Sequence, residues 1–256
     1  MAISDGTNLK ITLHWLEKSR SQRILWLLEE LGIPYEIKTY KRDPKTMLAP
    51  PELKTIHPLG KSPVITIGDR AMAESGLIAE YLCEHFGPSL IPQKWKEGCE
   101  GQVDGETEAW MRYRYYMHYC EGSLMTLITM AFIPWAIKKA PVPFFLRPIT
   151  SRIANQLGAS FVGPGFVTNL AFLEAQLESA PDGGPYLCGA HLTAADILMS
   201  FPLLIAQIQQ DGQSPLNKKE YPKLWAYTEL LKESAGSKRA IEKIIEIEGE
   251  YNPSFM

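Results

Sequence analysis

Ser62-Pro63-Val64-Ile65-Thr66-Ile67-Gly68-Asp69-Arg70-Ala71-Met72-Ala73-Glu74-Ser75 is the stretch whose reading decides the fold. Val64 to Ile67 is a β-rich run entered through a proline, Gly68-Asp69 is a turn, and Ala71-Met72 is a short answering strand. Glu74-Ser75 then places an acid and a hydroxyl at the mouth of a helix. That helix carries Leu77, Ile78, Tyr81 and Leu82 at helical spacing and closes near Gly87-Pro88. A strand, a hairpin and an acid–hydroxyl pair opening a helix can hold an extended peptide by its backbone and catch its charged end.

Upstream, Leu9, Ile11 and Leu13 alternate with Lys10, Thr12 and His14, the period of a strand. Ile24, Leu25, Leu27, Leu28 and Leu31 then recur at helical spacing, and Gly32 with Pro34 ends the helix. Tyr35 to Tyr40 reads as a second strand, and a polar, proline-rich loop runs on to Lys61. The order β-α-β, then β-β-α, describes an α/β domain over 1–92. From Cys99 onward the periodicity is helical, so 93–100 reads as a linker and 101–256 as an all-α domain. Within it, Thr193-Ala194-Ala195-Asp196 is a capping box, with Leu192 and Ile197 placed as a hydrophobic staple.

The bulk numbers exclude more than they assign. Hydrophobic residues at 45% and charged residues at 21% describe a globular chain with a real core. A net charge of −3 without a block of like charge gives no case for nucleic acid. Met1-Ala2-Ile3-Ser4-Asp5-Gly6 lacks the basic and apolar regions of a secretory signal, and a cytoplasmic location is expected. The apolar run from Met125 to Ile137, interrupted by Pro134, is shorter than the roughly 20 residues a bilayer crossing needs. Cys83, Cys99, Cys120 and Cys188 have no metal-ligand spacing; they read as reduced, ordinary thiols, and no metal is expected.

These residues together resemble a family. The α/β half resembles the thioredoxin-like domain of glutathione transferases, and the capping box resembles that of their helical domain. His14-Trp15-Leu16-Glu17-Lys18-Ser19-Arg20, Tyr40-Lys41-Arg42-Asp43 and Pro50-Pro51-Glu52-Leu53-Lys54 are most similar to fungal GTT-type enzymes and bacterial relatives. The resemblance implies that Pro63 is the cis-proline of the fold. It implies glutathione as co-substrate, small apolar electrophiles as its partners in detoxification chemistry, and a homodimer.

Glutathione is a tripeptide with two carboxylates, an ammonium and a thiol. Its backbone is expected to pair with Val64 as an added strand, on an edge exposed by Pro63. Glu74 suits the ammonium; Ser75 and the helix N-terminus suit the neighbouring carboxylate, a role compatible with Ser75 as a plain N-cap. The resemblance sets His57 and Lys61 at the glycine carboxylate, with solvated loop residues as the rival reading. The thiol needs a donor, and Ser19, four residues before Arg23, is the first candidate, with Ser21 its near rival. Neither Tyr nor Cys stands in that turn. Lys18, Arg20 and Arg23 crowd a helix start where cations are unfavourable unless an anion docks there; the alternative for Arg20 is a surface side chain.

The electrophile is expected between the domains, against Trp110, Tyr113, Tyr116 and Met117 on a helix from Glu108 to about Met130, although an aromatic stripe is also how a core is written. An extension over 134–164, with Pro141, Pro143, Phe144, Phe145 and Pro148, packs on its own domain, across a dimer, or on a membrane surface. Glutathione-dependent conjugation, or reduction of organic hydroperoxides, is the activity expected. A non-catalytic binding module or a carrier of hydrophobic ligands is the alternative.

Overall fold

The computed structural model describes residues 10–208 and 214–252. Leu9 and the Met1–Gly6 segment lie outside the described residues. The chain divides into two compact units: the described residues up to Ser89 together with those from Glu233 onward, and Leu90–Lys232. The sequence division runs its helical domain to the C-terminus; here the last helix is grouped with the first unit.

In the first unit, β1 (Ile11–Leu16), α1 (Ser21–Leu31), β2 (Glu36–Tyr40), a one-turn α2 (Leu53–Ile56), β3 (Val64–Ile67), β4 (Arg70–Ala73) and α3 (Ser75–Phe86) follow in order. The sheet order is β2-β1-β3-β4, with β1 parallel to β2 and β3 antiparallel to both β1 and β4. A parallel neighbour demands a crossover, and α1 supplies it. Ile24, Leu25, Leu27 and Leu28 are fully buried, each worth about 2 kcal/mol in apolar area removed from water. Gly32 ends the helix in a left-handed conformation, φ 63°, and returns its N–H to the Leu28 carbonyl. The final helix, Ala235–Glu248, packs on α1. Gly236 makes that approach possible: a Cβ there would lie 2.9 Å from the Glu30 backbone.

Register fixes where the loops of this unit meet. His14 and Ala73 both stand opposite Val64, each in an antiparallel ladder. Going back from Val64 to Ser62 therefore runs the same way as going forward from His14 to Ser19, or from Ala73 to Ser75. The Glu17–Arg20 turn, Ser62-Pro63 and Glu74-Ser75 leave the sheet at one end.

The second unit is built on helices: α4 (Glu108–Tyr119), α5 (Thr126–Lys139), α6 (Arg147–Leu157), α7 (Gly163–Glu178), α8 (Ala194–Gln207) and α9 (Pro222–Glu233), whose last residue falls in the first unit; the final helix of the chain is α10. Through a wide turn at Cys120–Met125, α4 and α5 form one run of 32 residues, Glu108–Lys139. Two expectations are corrected here. Pro134 lies inside α5 at the cost of one backbone hydrogen bond, so the extension starts helical. By length and composition alone the run also reaches what a bilayer crossing requires. Residues 93–100 form an ordered loop of this unit, in which Trp95 bridges Glu106 and Thr107 Oγ1 donates to the Gln93 carbonyl at 2.5 Å.

The capping box at Thr193–Asp196 is present as read. Asp196, with no exposed surface, accepts from the Thr193 N–H (2.8 Å), the Thr193 hydroxyl (2.6 Å), the Leu187 N–H (3.2 Å) and the Tyr227 hydroxyl (2.7 Å). One buried carboxylate thereby joins the loop before α8, α8 itself and α9.

Candidate active site

The turn after β1 is held from two sides. The Arg42 guanidinium donates to the carbonyls of Glu17 (3.1 Å), Lys18 (3.1 Å) and Met47 (2.9 Å), and the Arg42 N–H donates to Glu17 Oε1 at 2.6 Å. From α10, Glu248 accepts from the Trp15 indole at 2.8 Å and from the Lys18 N–H. Burial pushes the Glu248 carboxyl up from its ordinary range. Lys18 adopts a positive φ of 47°, a strained conformation for a non-glycine that this double clamp sustains.

Three hydroxyls meet at this turn. Ser19 Oγ donates to the Leu16 carbonyl at 2.6 Å, accepts from the Ser21 N–H at 3.2 Å, and lies 3.2 Å from Ser62 Oγ. Ser21 Oγ is 2.5 Å from Ser62 Oγ. Ser19 and Ser21 are buried, whereas Ser62 is half-exposed. A hydroxyl has one proton to give. That of Ser19 is committed to Leu16. If the buried Ser21 gives its proton to Ser62, the Ser62 hydroxyl keeps its own proton, for Ser19 Oγ or for an acceptor that arrives from outside. Ser62 is not among the residues expected at the site; its one signal in the sequence is a hydroxyl beside Pro63, and the Ser62–Pro63 bond is cis.

Glu74 has φ 74° and is exposed; its carbonyl accepts the Ile78 N–H and starts α3. Ser75 is not the N-cap but the first helical residue, and its buried hydroxyl accepts from Arg23 Nη2 at 2.9 Å. Arg23, 1% exposed, sets a guanidinium behind the N-terminus of a 12-residue helix, so two sources of positive potential coincide. That resolves the crowded helix start: Arg23 turns inward and Arg20, preceding α1, is half-buried.

Val64 does not offer the edge expected of it. It is fully buried, with His14 opposite on one flank and Ala73 on the other, so its N–H and C=O face an existing strand whichever way they point. Ser62 and Pro63 lie beyond both ladders. His57 ends α2; its Nδ1 accepts weakly from the Leu59 N–H at 3.4 Å, which leaves Nε2 as the donor of the neutral ring. Lys61 is exposed on the same loop. Beneath the site, His14 is buried between Tyr40 Oη (3.0 Å) and Thr66 Oγ1 (3.3 Å), and burial, with Lys38, lowers its pKa.

The aromatic stripe of α4 divides. Trp110 is half-exposed and shares Lys94 with Trp95, the ammonium lying 4.9 and 4.3 Å from the two rings. Tyr116 has no exposed surface and its hydroxyl donates to Gln176 at 3.1 Å; Tyr113 and Met117 are almost as deeply buried. A side chain without exposed surface presents nothing to a molecule arriving from water, so these three are corrected to core of the helical unit. All four cysteines are unbridged, and burial pushes the Cys83 thiol up to about 12, which makes it inert.

Comparison with known proteins fits this geometry. Residues 19–85 match the glutathione S-transferase N-terminal domain and residues 154–239 match the C-terminal domain. Glutathione S-transferase 1 of Saccharomyces cerevisiae is 36% identical over 202 residues, covering 77% of this chain and 80% of that protein. The chain belongs to the glutathione S-transferase family. Glutathione S-transferase 3 of Schizosaccharomyces pombe is 32% identical over 91% of this chain and 88% of its own. The crystal structure of a glutathione S-transferase from Actinobacillus pleuropneumoniae superposes with a TM-score of 0.62, at 31% identity, over 91% of this chain and 92% of the other. The N-terminal match opens at Ser19 and takes in Ser62, Glu74 and Ser75; the two matches leave residues 86–153 of this transferase-family chain outside both.

Proposed function

We propose that this chain is a working glutathione transferase that ionises the glutathione thiol at the Ser19–Ser21–Ser62 cluster and adds it to apolar electrophiles. The observation that carries the reading is a cluster of three hydroxyls, two buried and the outermost half-exposed, which leaves the sheet at the same end as Glu74-Ser75. Glutathione would lie with its ammonium at Glu74 and its γ-glutamyl carboxylate on the α3 N-terminus, over Ser75 and Arg23. Its cysteinyl backbone would pair with Ser62, and Lys61 and the Nε2–H of His57 would face its glycine carboxylate.

The magnitudes are adequate. A free thiol has a pKa of about 8.5, and bringing it down by about two units takes about 2.7 kcal/mol. A hydrogen bond to a charged acceptor contributes about 1.5–3 kcal/mol. Ser62 supplies the first. Ser19 supplies a second by exchanging its bond to the Leu16 carbonyl, a neutral bond worth about 1 kcal/mol, for a charge-assisted one. The thiolate then attacks the electrophilic carbon, forming the C–S bond as the leaving group departs with its electron pair. On an organic hydroperoxide the same thiolate attacks the terminal oxygen and breaks the O–O bond, leaving glutathione sulfenic acid and an alkoxide that takes up a proton to become the alcohol. The thiol of a second glutathione then attacks that sulfenic sulfur, forming glutathione disulfide and releasing water. A cytosolic homodimer is part of this reading.

Turnover of an aryl halide and of an organic hydroperoxide, beside calorimetric binding of glutathione, tests it. Saturable binding with turnover of either electrophile supports the enzyme. Binding with no turnover above the uncatalysed rate hands the chain to the binding-module reading.

A further inference from the structure

The sequence between Glu121 and Glu174 contains no acidic residue, while Lys138, Lys139, Arg147 and Arg152 fall within it. The net charge there is positive in a chain whose total is −3. This segment holds α5 and α6, two helices packed together and joined by Ala140-Pro141-Val142-Pro143 and a short turn at Phe144–Leu146. Much of it lies in the stretch that neither family domain matches.

Several of its apolar side chains are turned outward. Phe144 is 80% and Phe145 63% exposed at the tip, and Ile133, Trp135, Ile149 and Ile153 are exposed on the two helices behind it. Large apolar side chains exposed together on one hairpin mark a contact with something else. The four cations are all exposed and bracket the tip: Lys138 and Lys139 end α5, Arg147 opens α6 and Arg152 follows one turn later.

We propose that the α5–α6 hairpin is a docking surface for an anionic lipid bilayer. Aromatic residues at the tip suit the boundary between headgroups and acyl chains, and flanking lysines and arginines suit the negative charge of the lipid phosphates and carboxylates. The hairpin lies on the membrane and does not cross it. Although the Glu108–Lys139 run is long enough, α6 packs along α5 and brings Thr150, Ser151, Arg152, Asn155 and Gln156, which hydrocarbon would not accept. A second copy of the chain fits less well. A two-fold contact sets a patch against itself, and here that opposes four cations to four with no acid in the segment to offset them.

Co-sedimentation of the purified full chain with phosphatidylcholine vesicles, with and without phosphatidylserine, tests the proposal. Phosphatidylserine should raise the partition coefficient roughly tenfold or more, and added salt should reverse the gain. Lys138→Glu with Lys139→Glu should abolish the phosphatidylserine dependence. Phe144→Ser with Phe145→Ser should cut the remaining binding at least roughly tenfold, because two large apolar side chains leave the lipid. Both pairs are exposed, and glutathione binding serves as the check that each variant is folded. Equal partition on both vesicles overturns the proposal, as does serine-lipid binding that both variants retain. Light scattering supplies the other refutation: if the phenylalanine variant loses self-association and no vesicle binds the wild type, the face belongs to a second copy.

Discussion

Two polar clusters, one in each unit, both gather hydroxyls and differ in their hydrogen-bond balance. Around Asp196, four donors meet a carboxylate able to accept them all, and nothing in the cluster is left to give. Around Ser62, three hydroxyls sit together with one carbonyl, that of Leu16, as an outside acceptor, and the outermost is half-exposed. A closed cluster holds elements together. A cluster whose outermost hydroxyl reaches the surface, at the end of a sheet, can turn a donor toward an acceptor that arrives later.

The largest effect should come from the closed cluster. Asp196→Ala leaves buried donors without an acceptor and should cost about 4 kcal/mol, read as a fall in Tm of roughly 10 °C. Catalytic constants per folded molecule should stay near wild type; a selective loss of activity at unchanged Tm would erase the contrast. Next, Ser75→Ala removes the hydroxyl between Arg23 and the proposed carboxylate site. Glutathione Kd should rise roughly tenfold by calorimetry, with stability lowered by only about 1 kcal/mol.

Ser62→Ala should be nearly silent in stability, within about 1 kcal/mol, yet lower turnover at neutral pH roughly tenfold. An equal loss in denaturant midpoint would move Ser62 into the structural class. The smallest effect concerns His14. Its pKa is lowered in the folded state, so the unfolded chain binds the proton more readily as pH falls through the ordinary value of 6.5. Stability should therefore be complete above that value and decline below it, down to the folded-state pKa. Denaturant midpoints measured across that range should flatten in His14→Gln; an unchanged slope would assign the effect to other groups.

Local rules carried much of the fold. The alternation of Ile11, Thr12, Leu13 and His14, the helix closed by Gly32 and the Thr193–Asp196 box depend on neighbours in sequence, and each is found where its pattern puts it. What the sequence concealed depends on residues far apart. Ser62, 43 residues after Ser19, joins the site because two ladders end at Val64. Arg23 reads as one more cation on a helix until the fold sets Ser75 beside it. The assignment of α10 to the first unit rests on Gly236 against Glu30, Arg239 against Glu29 and Trp15 against Glu248, pairings over two hundred residues apart. The stripe of Tyr113, Tyr116 and Met117 misled because core and ligand wall share one periodicity, and only burial separates them.

The most direct test of the account is the ultraviolet titration of the thiol of bound glutathione, in the wild type and in Ser19→Ala, Ser21→Ala and Ser62→Ala. The account predicts a thiol pKa well below the free value of about 8.5 in the wild type. Ser62→Ala should raise it by about one unit or more, and Ser19→Ala by less. A bound thiol that titrates as it does in water, or a depressed pKa that none of the three substitutions moves, would contradict it.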